Sequence, residues 1–236
     1  MDWKIRTEML LGKGSSDILE NKTVAVIGLG GVGGHTLETL ARAGVGNLII
    51  ADKDVISPSN INRQIIATAE NIGKPKAEEW KKRVMAINPD CNVTALELFY
   101  LPETREEIFC RHIDFIVDAV DTVTAKVDLI MQAKQRGIGI ISSMGLGNKL
   151  DPGKIRITDI SKTSVCRLAR VMRHEMKKRG IRNVPVIFSD EEPKTPLFKD
   201  ENETGNKVPP ASVPWVPSVA GIMIGGYVVK KLLEIE

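Results

Sequence analysis

The stretch Thr23-Val24-Ala25-Val26-Ile27-Gly28-Leu29-Gly30-Gly31-Val32-Gly33 decides the fold class. Residues 23–27 form an unbroken apolar run, the pattern of a strand buried on both faces of a parallel sheet. Four glycines follow, and residues 32–43 then carry apolar side chains at helical spacing until Gly44, a natural C-cap. Strand, glycine turn and helix in that order open a βαβ unit whose turn lets an anion approach the backbone. By itself the glycine motif also fits a purely structural turn. Asp52 stands 24 residues after Gly28, at the end of the next apolar run, 48–51, and supplies an acceptor for a ribose hydroxyl. The pair favours a bound nucleotide without separating NAD from ATP.

Outward from this unit, strand and helix continue to alternate. Residues 74–87 read as a helix with Pro75 near its start and Asn88-Pro89 after its end. Residues 93–98, 115–117 and 138–142 read as strands, with a helix over 125–136. The alternation predicts an α/β fold, a doubly wound Rossmann-like and mostly parallel sheet. After Gly147 the pattern changes. Residues 154–159 alternate polar and apolar as a half-exposed strand does, 163–179 read as a basic amphipathic helix, and 219–233 as an apolar helix. Residues 189–210, rich in charge, Pro, Asn and Gly, read as a long mobile loop. The expected organisation is a nucleotide-binding part over 1–146 with an N-terminal helical arm, and an extension over 147–236, together one continuous domain.

Composition narrows the class further. With 236 residues, 42% hydrophobic and 27% charged, the chain has an ordinary globular make-up rather than a disordered one. No run of about eighteen apolar residues is present, so a membrane span is not expected. The first eleven residues carry Asp2, Lys4, Arg6 and Glu8 and lack the apolar core of a secretion signal. Cys91, Cys110 and Cys166 are too few and too scattered for a disulfide framework or a zinc knuckle, which fits a reducing cytoplasm. His35, His112 and His174 make no metal spacing either. The net charge of +3 hides an asymmetry: residues 149–182 hold eleven Lys and Arg against Asp151, Asp159 and Glu175, net +8, leaving the remainder at −5. A basic surface on an acidic body suggests a polyanionic partner.

Cations placed just after the ribose carboxylate separate the two nucleotides. Arg63 and Lys76 have little use in an NAD site, whose pyrophosphate the glycine turn holds, whereas ATP cleavage needs positive charge on the transferring phosphates. The plain alternative makes each a solvated surface charge. At Gly28–Gly33, residues 52–64 (Asp52 to Gln64), Gly73-Lys74-Pro75-Lys76, Ile87-Asn88-Pro89 and Val117-Asp118-Ala119-Val120-Asp121, the chain closely resembles the ThiF/MoeB/HesA superfamily of adenylylating enzymes, relatives of the ubiquitin-activating enzymes. The resemblance implies an ATP site made of Gly28, Gly30, Gly31, Gly33, Asp52, Asp54, Asn60, Asn62, Arg63, Lys76 and Asp121. It further implies triphosphate binding by Arg63 and Lys76, Mg²⁺ at Asp121, and Arg6 reaching the phosphates of a neighbouring subunit, hence a homodimer.

Two departures narrow the branch. The paired Cys-x-x-Cys motifs of sulfur-carrier activators are missing. Instead, Asp151-Pro152, the Lys154-to-Thr163 stretch, Leu168-Ala169-Arg170 and Pro217-Ser218-Val219-Ala220-Gly221 resemble the tRNA threonylcarbamoyladenosine dehydratase branch. The loop before the last helix carries no cysteine, so covalent cysteine catalysis is disfavoured; Cys166 heads the basic helix and fits a small buried hydrophobe. What the resemblance implies is ATP-dependent activation of a carboxylate on tRNA, with ring closure of threonylcarbamoyladenosine in the anticodon loop. Arg167, Arg170, Arg173, Lys177 and Lys178 are the expected tRNA contacts, against the plain reading of a solvated helix face. A sulfur-transfer protein is a further candidate partner. The rival readings are an adenylyltransferase for a ubiquitin-like sulfur carrier and a nucleotide-binding protein without chemistry.

Overall fold

The computed structural model describes residues 3–198 and 210–235. Two short helices, α1 (Ile5–Leu11) and α2 (Ser15–Glu20), precede β1 (Thr23–Ile27). The chain continues through α3 (Gly31–Ala43), β2 (Asn47–Ala51), α4 (Lys76–Ile87) and β3 (Asn92–Leu96). A single-turn helix α5 (Glu106–Phe109), β4 (Phe115–Asp118), α6 (Val123–Arg136) and β5 (Gly139–Ser143) follow. β6 (Ile155–Asp159), α7 (Arg167–Lys178), β7 (Pro185–Ser189) and α8 (Trp215–Leu232) complete it.

One seven-stranded sheet runs in the order β3-β2-β1-β4-β5-β7-β6. Its pairings are parallel except β6 with β7, which is antiparallel along Ile155↔Ser189 to Asp159↔Pro185. The sheet therefore crosses residue 146 without a break. α3, α4 and α8 cover one face through Leu37, Leu40, Trp80, Val84, Ile224 and Val228. α5, α6 and α7 cover the other through Ile108, Phe109, Leu129, Ile130, Met172 and Met176. Chain order turns back between β1 and β4, which puts a crevice above the carboxyl ends of these strands, where open α/β sheets take their ligands.

Several boundaries move for identifiable reasons. α7 begins at Arg167 rather than 163, because Cys166 adopts an extended conformation as its N-cap and its Sγ accepts the Ala169 N–H at 3.4 Å. α8 begins at Trp215, four residues early, with Pro217 tolerated in the first turn where no intrahelical donor is missed. The strand β7 lies in a stretch for which periodicity predicts nothing; Pro185 occupies its first position, where a missing N–H breaks no ladder. Of the mobile loop expected over 189–210, Ser189 belongs to β7 and residues 199–209 lie outside the described residues. Among the described residues, no helix is long and apolar enough to cross a membrane.

Candidate active site

A cleft of about 550 Å³ opens at the switch point between β1 and β4. Gly28 leaves β1 with φ +90°, and any Cβ there would approach the Ala119 carbonyl oxygen to 2.7 Å, so only glycine keeps the β1 and β4 turns this close. Asp52 caps β2. One carboxylate oxygen accepts the Leu29 N–H at 2.7 Å and the other accepts the Asp54 N–H at 2.8 Å, which fixes the glycine turn against the end of β2. A carboxylate has about four lone-pair sites, so acceptor capacity is left over on the cleft side.

Cations gather beside it. Lys76, at the first turn of α4, is buried and places Nζ 3.1 Å from Asp54. The Arg63 guanidinium is held by its Nη1, which donates to Ser59 O at 2.8 Å and Asn62 Oδ1 at 3.0 Å; its other nitrogens have no partner among the described residues. Lys53 lies 4.0 Å over the ring of Phe99, and both line the cleft with Leu98 and Tyr100. Tyr100 donates to Asp128 at 2.8 Å, and burial, then that hydrogen bond, push its phenol well up and keep it neutral. Asp121 stands exposed at the opposite wall, and its carboxylate makes no hydrogen bond or ion pair among the described residues.

Of the residues expected at a nucleotide, Gly28, Gly30, Gly31, Asp52, Asp54, Arg63, Lys76 and Asp121 line this one cleft. Gly33, Asn60 and Asn62 do not. Gly33 lies behind the turn, where a Cβ would overlap the Gly28 carbonyl, so it serves helix–strand packing rather than a ligand. Asn60 accepts the Ser57 N–H at 3.2 Å and shapes the turn that carries Arg63. Asn62 donates to Ser212 O at 3.1 Å and ties that turn to the segment before α8. Arg6 is exposed on α1 and does not line the cleft of its own chain. Arg167, Arg170, Lys177 and Lys178 are exposed on α7, away from the cleft, whereas Arg173 is half-buried and donates to Thr163 O at 2.9 Å and to Thr163 Oγ1.

Two features escape the sequence reading. Gln64, next to Arg63, lines the cleft at 5% exposure with no side-chain partner among the described residues. Its buried Oε1 has no partner among the described residues and lies in the cleft lining, so the amide is available to a group bound there; its place in the Arg-Gln pair is the signal. Beneath the Asp121 turn, Lys126 and Asp118 form a wholly buried ion pair at 3.1 Å, and Ser142 Oγ donates to the second Asp118 oxygen at 2.5 Å. Asp118 also accepts the Val120 N–H at 3.3 Å, so this triad holds the turn itself. Cys91 is buried, which pushes its thiol up to about 11, away from a thiolate at neutral pH. Among the described residues no cluster of three His, Cys, Asp or Glu could cage a metal.

Comparison with known proteins gives a consistent result. The ThiF family matches residues 4–236. The tRNA threonylcarbamoyladenosine dehydratase of Bacillus subtilis is 44% identical over 238 residues, covering 97% of this chain and 94% of its own length. Crystal structures of the Escherichia coli tRNA N6-threonylcarbamoyladenosine dehydratase in complex with ATP and with AMP superpose with TM-scores of 0.87 and 0.88 at 29% identity. Each alignment covers 97% of this chain and 93% of the other.

Proposed function

The chain belongs to the ThiF family, and we propose that it uses ATP to dehydrate threonylcarbamoyladenosine in tRNA. The observation that carries this reading is the end-to-end likeness to dehydratases of that nucleoside, joined to a cleft that sets Arg63 and Lys76 beside a ribose acceptor. A carboxylate oxygen is a poor leaving group. Transfer of a phosphoryl or adenylyl group from ATP onto the threonyl carboxylate makes it a good one. The neighbouring carbamoyl group then attacks the activated carbon, the ring closes, and the carboxylate oxygen departs on the phosphate. Nucleophile and electrophile belong to one substrate, so the protein's task is positioning and charge neutralisation.

Arg63 and Lys76 neutralise the transferring phosphate, with Lys76 exchanging its Asp54 partner for it. Asp52 holds the ribose, and Gln64 offers its unpartnered amide to the phosphates or to the activated carboxylate. Asp121 suits Mg²⁺: it is a free hard-oxygen donor, and Mg²⁺ is usually held by one or two carboxylates plus substrate phosphates rather than by a full protein cage. Bound there, the ion would supply Lewis-acid charge stabilisation. The overall reading is tested by whether the modified nucleoside is converted with ATP and not with NAD.

Arg6 completes the site from a second copy in this reading. Support comes from α1, whose Met9 and Leu10 are 80% and 86% exposed, apolar surface that a second chain would cover. Mixing inactive Arg6→Ala with inactive Lys76→Ala should restore about a quarter of the activity, because statistical mixing gives half heterodimers, each with one intact site. No recovery despite demonstrated subunit exchange would remove the shared site.

A further inference from the structure

α7 carries a solvent stripe of Arg167, Arg170, His174, Lys177 and Lys178, all exposed and at steps of three or four residues. No carboxylate interrupts it, since the helix's one acidic residue, Glu175, is paired with Arg179. The direction of the helix gives the stripe a meaning. At its start Cys166 Sγ lies 3.8 Å from Gly145 O, just past the carboxyl end of β5 and on the cleft side of the sheet. At its end the Ile181 N–H donates to Met176 O, and the chain then enters the amino end of β7, at the opposite edge of the sheet. Twelve helical residues rise about 18 Å, the full height of the five-residue strands. At that far end lies a second cavity of about 440 Å³ lined by Ser161, Arg173, Lys177, Arg182 and Asn183. Its carboxylate, Asp159, is already engaged by the Ser161 N–H and hydroxyl, while Lys177 and Arg182 have no partner among the described residues.

We infer that α7 is a rail for the backbone of the RNA stem next to the modified loop, with Arg167 nearest the reacting end and Lys177 and Arg182 taking phosphates farther along the stem. A B-form duplex carries one phosphate per about 3.4 Å of axis on each strand and an A-form RNA stem rises less per step, so an 18 Å stripe spans at least about five of them on one strand. The orientation rests on the functional reading above, which puts the modified loop in the cleft.

Binding of unmodified RNA hairpins tests the rail without requiring turnover. A long-stem hairpin and one trimmed to a minimal stem, with the same loop, are titrated by fluorescence anisotropy at several salt concentrations. Lys177→Ala/Arg182→Ala should weaken long-stem binding about tenfold and lower its log–log salt slope by about two, while leaving the short stem unchanged. Arg167→Ala/Arg170→Ala should weaken both hairpins. All four positions are exposed, so thermal unfolding should stay at the wild-type midpoint. Equal effects of Lys177→Ala/Arg182→Ala on both stems, or none on either, overturn the rail. Failure of the functional reading would appear elsewhere, as modified nucleoside left unconverted by a protein that still binds stems in this graded way.

Discussion

Lys126→Met should lower folding stability by about 3–5 kcal/mol, because it strands the Asp118 carboxylate in a site with no solvent access. The remaining partners, Ser142 Oγ and the Val120 N–H, are neutral and cannot replace a full positive charge at 3.1 Å. Ser142→Ala removes one neutral donor to the same carboxylate and should cost less, about 1.5–3 kcal/mol. A double replacement, Lys126→Met with Asp118→Leu, should regain much of the loss, since an apolar pair of similar volume makes no charge desolvation necessary. Urea unfolding checks this as a fall in midpoint at unchanged slope. A Lys126→Met midpoint equal to that of the wild type would mean that the ion pair is not what holds the β4–β5 junction. The double variant separates two roles of the triad. It should fold, yet turn over poorly, because the turn bearing Asp121 loses its Val120 anchor.

The second large effect falls on chemistry rather than on folding. Asp121→Ala and Arg63→Ala should each lower kcat by about 10²–10³-fold, the scale on which single groups that stabilise transition-state charge act. Neither side chain supports the core: among the described residues Asp121 is exposed and without a partner, and Arg63 is pinned only to its own turn. Their unfolding free energies should therefore match the wild type within about 0.5 kcal/mol. A purified Asp121→Ala protein with wild-type turnover at saturating Mg²⁺ would remove the carboxylate from the mechanism. If Arg63→Ala raised KM for ATP and left kcat intact, Arg63 would bind ground state and transition state equally.

The part of the fold legible in sequence is the part specified locally. Strand β1, the glycine turn and α3 follow one another within 21 residues, and apolar runs bounded by Gly or Asp mark β2 and β4. β7 was illegible because 184–188 is a short apolar run beginning beside a proline, which by period alone fits strand or loop. The same limit governs the site. The family resemblance groups Gly33 with the ligand-facing glycines, but which glycine meets a phosphate and which meets a backbone carbonyl depends on the β1–α3 contact. Arg173 shares the helical period of the basic stripe, and only the fold of 160–163 turns it inward to Thr163. Lys126 reads as one more helix cation; its burial is created by Asp118 and Ser142 from two neighbouring strands.

The reaction product decides whether this chain is a dehydratase. Threonylcarbamoyladenosine-bearing tRNA is incubated with the purified protein, ATP and Mg²⁺, digested to nucleosides and analysed by mass. The modified nucleoside should be replaced by a species lighter by one water, ATP should be consumed in step with it, and NAD should not substitute. Recovery of the nucleoside unchanged, from a protein shown by calorimetry to bind ATP, would rule out the dehydratase activity and leave the cleft as a nucleotide site without this chemistry.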